Sequence, residues 1–250
     1  MPGAGAVALM AWALGRAGMA AGEVARRVIA FLVVLDGVYL AALALAAAAL
    51  SLGLAPGAAP AWLTSVPALL ALLPIVAALA LLGVPSRRLG DAGSQAHDEP
   101  EGRGEWVARR VRSIPATVVA GERDAIAIVR SGASPLLAAI AWWGLDIATL
   151  WACFSAFGEP PPAAVIVVAY FVGQLASALP LPGGIGGVEG GMFGAFIGFG
   201  VEAELALVAV LVYRTLAYWL PTLPGIAAYF QLRRTVGRWE GVEPAASVAG

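Results

Sequence analysis

VIAFLVVLDGVYLAALALAAAALSLGL, residues 28–54, is the stretch that decides the fold class. Its only charge is Asp36. Roughly 20 mostly apolar residues are enough for a helix to cross the hydrocarbon core of a bilayer, and this run exceeds that length. It is apolar on every side, so it has no face suited to water. Working outward, a short Pro/Gly turn (APGAAPA, residues 55–61) leads into a second apolar run at 62–84. Further runs occupy 135–157, which carries Asp146, then 161–181, then 186–200, which is short and packed with glycine, and finally 205–232, which contains Pro221 and Pro224. The expected architecture is an all-α, polytopic membrane protein. It has about six crossings, the last two irregular, plus re-entrant or broken segments.

Composition agrees. Hydrophobic residues make up 60% of the chain and charged residues 12%, about half the charged share of a soluble domain. So few charges cannot cover that much apolar surface in water, whereas lipid accepts it. The net charge of -1 supplies no global basic field, so nucleic acid is not an expected partner. All fifteen basic residues are arginine. The single cysteine, Cys153, and the single histidine, His97, allow neither an internal disulfide nor a metal cluster; no metal or cofactor is expected.

The distribution of arginine predicts orientation. Residues 85–134 hold Arg87, Arg88, Arg103, Arg109, Arg110, Arg112, Arg123 and Arg130. The amino-terminal flank holds Arg16, Arg26 and Arg27, and the tail holds Arg233, Arg234 and Arg238. The opposite connections, near Pro56, Glu159 and Glu202, hold none. The positive-inside rule then places both termini and the central loop in the cytoplasm. Five regions follow: a partial or re-entrant segment at 1–27, a helix pair at 28–84, a cytoplasmic loop at 85–134, a carboxy-terminal bundle at 135–232 and a tail at 233–250. The amino terminus lacks a basic region ahead of its apolar stretch, so it does not read as a cleavable signal. In the loop, Trp106, Val107, Val111 and Ile114 recur near helical spacing between arginines. That pattern predicts one or two helices in the headgroup layer, interrupted at Pro115. A solvated linker is the alternative.

The residues with chemical potential cluster late in the chain. In GQLASALPLPGGIGGVEGGMFGAFIGFG, residues 173–200, Pro180 and Pro182 cannot donate backbone hydrogen bonds, and Gly183, Gly184, Gly186 and Gly187 resist regular helix. Broken backbone at membrane depth is tolerated only inside protein or along a wet cavity. An acid follows at once, Glu189. The competing reading is tight helix packing through Gly187, Gly191 and Gly194. The pattern is no dinucleotide loop, because a G-x-G-x-x-G starting at Gly184 meets Glu189 at its last position. Arg214 lies in VAVLVYRTLAYWLP, residues 208–221. A midmembrane arginine costs at least about 2.5 kcal/mol, so it is expected to face the interior, with Glu189 as its partner and a lipid phosphate as a fitting ligand. Snorkelling to an interface is the alternative. Asp36 and Asp146 are further acids within apolar runs, suited to proton coupling or to a bond with a neighbouring helix. Gln174 is placed to line the same cavity as Glu189. Tyr213, Tyr218 and Trp219 read as packing or belt aromatics.

Taken together, LPLPGGIGGVEGG at 179–191 and YRTLAYWLPTLPG at 213–225 resemble the lysylphosphatidylglycerol synthase transmembrane region family. WALGRAGMAAGEVARRVIAF, residues 12–31, is similar to that family's first-half segment. The resemblance implies a bacterial cell-membrane protein of flippase type, handling a phospholipid or lipid-linked headgroup. It implies that Pro182, Gly183, Gly184, Gly186, Glu189 and Arg214 line the headgroup path, with Gly22, Glu23 and Arg26 as the first-half positions. Against the family pattern the chain looks short at its amino terminus. About eighteen residues follow Leu232, too few for an aminoacyltransferase domain, so the expectation is a transporter and not an enzyme. A homo-oligomer or a separate synthase is the expected protein partner. The competing functions are a non-transporting scaffold or regulator that uses the amphipathic loop, and a membrane enzyme acting on lipid. The enzyme reading finds no nucleophile or acid–base constellation in the sequence.

Overall fold

The computed structural model describes residues 4–57, 60–82, 103–176 and 186–240. Nine α-helices fall within them. They are α1 (Ala4–Arg16), α2 (Ala21–Ser51), α3 (Ala61–Leu82), α4 (Arg103–Ser131), α5 (Ser134–Phe157), α6 (Ala163–Ala176), α7 (Gly187–Gly198), α8 (Ala203–Arg214) and α9 (Leu220–Glu240). One π-helical turn, Thr215–Trp219, joins α8 to α9. No strand occurs among the described residues.

Three helical spans are long and apolar enough to cross a membrane: Ala21–Ser51, Ser134–Phe157 and Ala203–Thr235. Their surface is that of a protein solvated by lipid. Leu45, Leu145 and Leu223 are 72%, 71% and 68% exposed, and in water such side chains would be a liability. The polytopic all-α class is therefore as expected.

Shorter apolar helices accompany these spans, at Ala61–Ala77 and Ala163–Leu175 among others. Within residues 161–181 and 186–200 the described helices are Ala163–Ala176, whose far end adjoins the undescribed stretch 177–185, and Gly187–Gly198, with 12 residues. At 1.5 Å per residue the 12-residue helix reaches about 18 Å, short of the roughly 30 Å core. The two helices pack on each other more extensively than any other pair. Their contact depends on Gly173, where an added Cβ would lie 2.2 Å from Met192 Cγ and 3.0 Å from the Val188 carbonyl oxygen. One packing glycine thus lies on α6. Gly194 of α7, expected to pack, faces open space. The Pro/Gly stretch 177–185, including Pro180, Pro182, Gly183 and Gly184, lies outside the described residues.

The core is aromatic. Tyr39, Trp143, Tyr170 and Phe171 form a contiguous set with centroid separations between 4.5 and 6.2 Å. Offset and edge-on contacts of this kind add about 0.5–1.5 kcal/mol each beyond area burial. Two of the polar tips satisfy backbone carbonyls on neighbouring helices. Tyr39 donates to the Phe171 carbonyl at 3.0 Å, and Trp143 Nε1 donates to that of Leu35 at 2.9 Å.

The amino-terminal half is helical beyond its apolar runs. α2 begins at Ala21, seven residues before the apolar run at 28, because Glu23, Arg26 and Arg27 are all good helix formers and are needed only outside the hydrocarbon. Pro115 does not interrupt the loop helix, since α4 is continuous over Arg103–Ser131. From Val119 onward α4 is docked rather than solvated. Val119, Glu122 and Ala125 are buried, and Gly121 meets α2 so closely that a Cβ there would lie 2.4 Å from Ile29 Cγ2.

Candidate functional site

Arg214 is the last residue of α8 and is only 7% exposed. It lies eleven residues beyond Ala203, about 17 Å along the helix, within the apolar span Ala203–Thr235. α7 ends just before α8 begins, so its first turn lies at a comparable depth, nine residues back from Gly198. That turn carries Glu189. The Glu189–Arg214 ion pair closes at 2.6 Å between Oε1 and Nε, with the two side chains 18% and 9% exposed.

Glu189 performs two tasks. Its second oxygen, Oε2, accepts the Gly186 N–H at 2.7 Å. This is the returning half of a capping box, in which the third residue of a helix satisfies the donor at its start. Gly186 takes φ +82°, a conformation that a side chain makes costly. The glycine before α7 therefore positions its own N–H for the acid three residues on. Arg214 is served less completely. Nε has Glu189, and the guanidinium carbon lies 4.5 Å above the Tyr218 ring, a contact worth about 0.5–2 kcal/mol. Its Nη2 is buried without a hydrogen-bond partner. Directly after Arg214 the backbone widens into the π-helical turn, with the Leu220 N–H reaching back to the Thr215 carbonyl. Pro221 explains the change of register, because its ring would collide with a carbonyl one α-helical turn earlier. Such single π turns occur often at functional positions.

A second polar group adjoins the first. Tyr170 donates to Asp146 Oδ2 at 2.5 Å, and Gln174 Nε2 donates to the Tyr170 hydroxyl at 3.1 Å. Tyr213, next to Arg214 in sequence, approaches both Asp146 and Tyr170, with its ring 6.2 Å from that of Tyr170. Asp146 and Gln174 are thus joined through Tyr170. Asp36 stands apart, with a buried Oδ1 that has no partner. Glu23 and Arg26 are engaged elsewhere. Glu23 accepts from Arg27 at 2.7 Å, and Arg26 pairs with Asp124 of α4 at 2.6 Å. Gly22 is nearby on α2, with open space around its Cα.

The aromatic members went unrecognised in the sequence. Tyr218 is four residues beyond Arg214, and Tyr170 is four before Gln174; i,i+4 spacing puts such residues on one helical face. That spacing was a usable signal.

With this geometry established, residues 1–225 match the family described as "Lysylphosphatidylglycerol synthase TM region". The chain belongs to that family. Three relatives from Methanothermobacter thermautotrophicus, each named UPF0104 membrane protein, are similar over shorter stretches. They are 42% identical over 87 residues, 33% over 84 and 32% over 87. Each match covers 33–34% of this chain and 25–26% of the relative, so the chain spans about a quarter of the length of the curated relatives it matches. No solved structure matches.

Proposed function

We propose that this member of the family binds the anionic headgroup of a phospholipid or lipid-linked substrate at Arg214 and passes it between leaflets, as a transporter without catalytic chemistry of its own. The observation that carries the reading is the buried guanidinium, within a membrane-length apolar span, whose Nη2 has no protein partner. A buried charge in lipid is expensive and is retained where it serves a pathway. Glu189 holds Nε and fixes the plane of the fork, leaving the Nη edge for a phosphate oxygen. The start of α7 adds the positive end of a half-length helix at the same depth, an arrangement that suits anionic groups in transporters built from discontinuous helices. Tyr170, Gln174 and Asp146 would supply neutral and acceptor groups beside it.

In this reading both termini and α4 lie on the cytoplasmic side of a prokaryotic cell membrane, by the arginine asymmetry. Either a separate synthase supplies the modified lipid or the chain handles an unmodified one, alone or as a homo-oligomer. The test is reconstitution of the full chain into vesicles carrying a headgroup-labelled phospholipid, with outer-leaflet label read by a membrane-impermeant quencher. Arg214→Ala should abolish translocation while the protein still inserts and stays helical. Translocation at the unaltered rate by that variant would defeat the reading.

A further inference from the structure

The outer face of α4 carries two arginines, Arg123 and Arg130, both exposed. They are one long helical repeat apart and therefore share a face. The acids that might neutralise them are occupied. Asp124 is paired with Arg26. Glu122 is turned inward and 5% exposed, and burial pushes its carboxyl above its ordinary range. Among the described residues the face is thus left with uncompensated positive charge.

Beneath it is space of the complementary kind. A depression of about 600 Å³ is bounded by Arg123, Ile126, Arg130 and Ser131. It shares Ile126 and Arg130 with a neighbouring apolar groove of about 380 Å³, which runs along α2 past Val33, Gly37 and Ala41 and is closed by Ala125 and Leu136. Gly37 gives the groove its depth, because a Cβ there would meet nothing within 4 Å. α2 is 31 residues long, about 46 Å. That exceeds the roughly 30 Å hydrocarbon core, so part of α2 extends past it, and the arginine end is the polar one.

We propose that this surface is a binding site for one acidic glycerophospholipid of the surrounding leaflet, its phosphate held by Arg123 and Arg130 and one acyl chain lying in the Gly37 groove. Charge complementarity selects this occupant. A zwitterionic lipid offers the same chain but brings its own cation to the two guanidinia. The site is distinct from the Glu189–Arg214 pair, and it ties α4 to α2 through a lipid that touches both helices.

The experiment uses the full chain in phosphatidylcholine nanodiscs. Analogues of phosphatidylglycerol and phosphatidylcholine with a photoactivatable group on the acyl chain are titrated in, and the cross-links are mapped by mass spectrometry. The phosphatidylglycerol analogue should label residues 33–41 of α2 and 125–136 at lower concentration than the phosphatidylcholine analogue. Each basic residue near an anionic group contributes roughly a five-fold preference. Arg123→Gln with Arg130→Gln should therefore raise the half-labelling concentration by about 30-fold. Gly37→Leu fills open space and leaves the helix intact, and it should remove the groove cross-links while both arginines remain. Arg214→Ala should leave this labelling unchanged, so the present site and the transport site can fail separately. Equal labelling by both analogues, labelling spread evenly over every lipid-facing helix, or an unaltered half-labelling concentration in the double arginine variant would each overturn the proposal.

Discussion

Removing one partner of the Glu189–Arg214 pair separates what the pair does for the fold from what it does for a ligand. Stripping a partner from a buried pair typically costs 3–5 kcal/mol, because the remaining charge is left uncompensated. Here the two side chains keep 18% and 9% exposure, which places the expected cost near the lower end, about 3 kcal/mol for Glu189→Gln. Glutamine is the informative replacement, since it preserves the bond to the Gly186 N–H that starts α7 and removes only the charge. Arg214→Gln should cost somewhat less, about 2 kcal/mol, because Glu189 retains a backbone donor. In the double variant neither charge remains buried, so the loss should fall well below the sum of the singles, with a coupling of about 2 kcal/mol. The assay is reversible unfolding in mixed micelles, followed by helical signal, for the parent and all three variants. Translocation is measured on the same proteins. The double variant should regain stability but not transport, because the anion-binding edge has gone with Arg214. Additive costs, within about 0.5 kcal/mol, would show that the two residues do not act as a buried pair. A double variant that still translocates lipid would refute the assignment of the guanidinium to the ligand.

Three further outcomes are expected. Gly173→Leu must displace Met192 and crowd a carbonyl of α7, contacts that an added Cβ alone already makes at 2.2 and 3.0 Å; a loss of at least about 1–3 kcal/mol should appear in the same unfolding assay, while Gly194→Ala, which meets open space, should be close to neutral. Tyr170→Phe deletes the donor to Asp146 and should cost about 0.6 kcal/mol, the average for hydrogen bonds between membrane helices, with double-mutant cycles against Asp146→Asn reporting the coupling. Glu122 gives a pH signature outside the membrane-spanning helices. Its folded-state pKa is raised by burial above the ordinary 4.5, so its contribution to docking α4 is fully present below that value and is lost as pH rises through the raised one. Hydrogen exchange across 117–131 should therefore slow on acidification, and Glu122→Gln should flatten that dependence and give slow exchange at neutral pH.

The membrane class was legible because its signal is a sum over many residues. An uninterrupted apolar run such as 28–54 permits few structures in any solvent, and the exposed leucines are its direct result. The Glu189–Arg214 partnership was legible for a different reason: an acid and a guanidinium in apolar surroundings each need a counterpart, and few others are on offer. Helix length was harder to read. Hydropathy cannot distinguish a crossing from a half-length helix, since α7 is as apolar as the spanning helix α5. What delimits α7 at its start is backbone chemistry, a glycine at φ +82° just before its first turn, which a windowed average dilutes. The course of α4 through Pro115 was missed for a related reason. A proline is counted as a break from local propensity, whereas docking on α2 through Gly121 and the Arg26–Asp124 pair supplies tertiary contacts that outweigh it.

The arrangement of charge follows from the same shortening. If α7 spanned the bilayer, its first turn would lie at an interface and Glu189 would be one more hydrated cap. Because α7 has only 12 residues, that turn falls at about the depth of Arg214, and the carboxylate must serve two donors at once. Both of its oxygens are then committed, one to the Gly186 N–H and one to Nε. One formal negative charge thus faces a formal positive charge together with the partial positive charge of a helix start. The remainder is positive, in a medium where charge is poorly screened and water is scarce. Tyr218 absorbs part of it through its ring face, and Asp146 is turned toward Tyr170. A transient anion from the lipid phase would complete the balance, and its removal would restore the deficit. That alternation is what a site must have if it is to release what it binds.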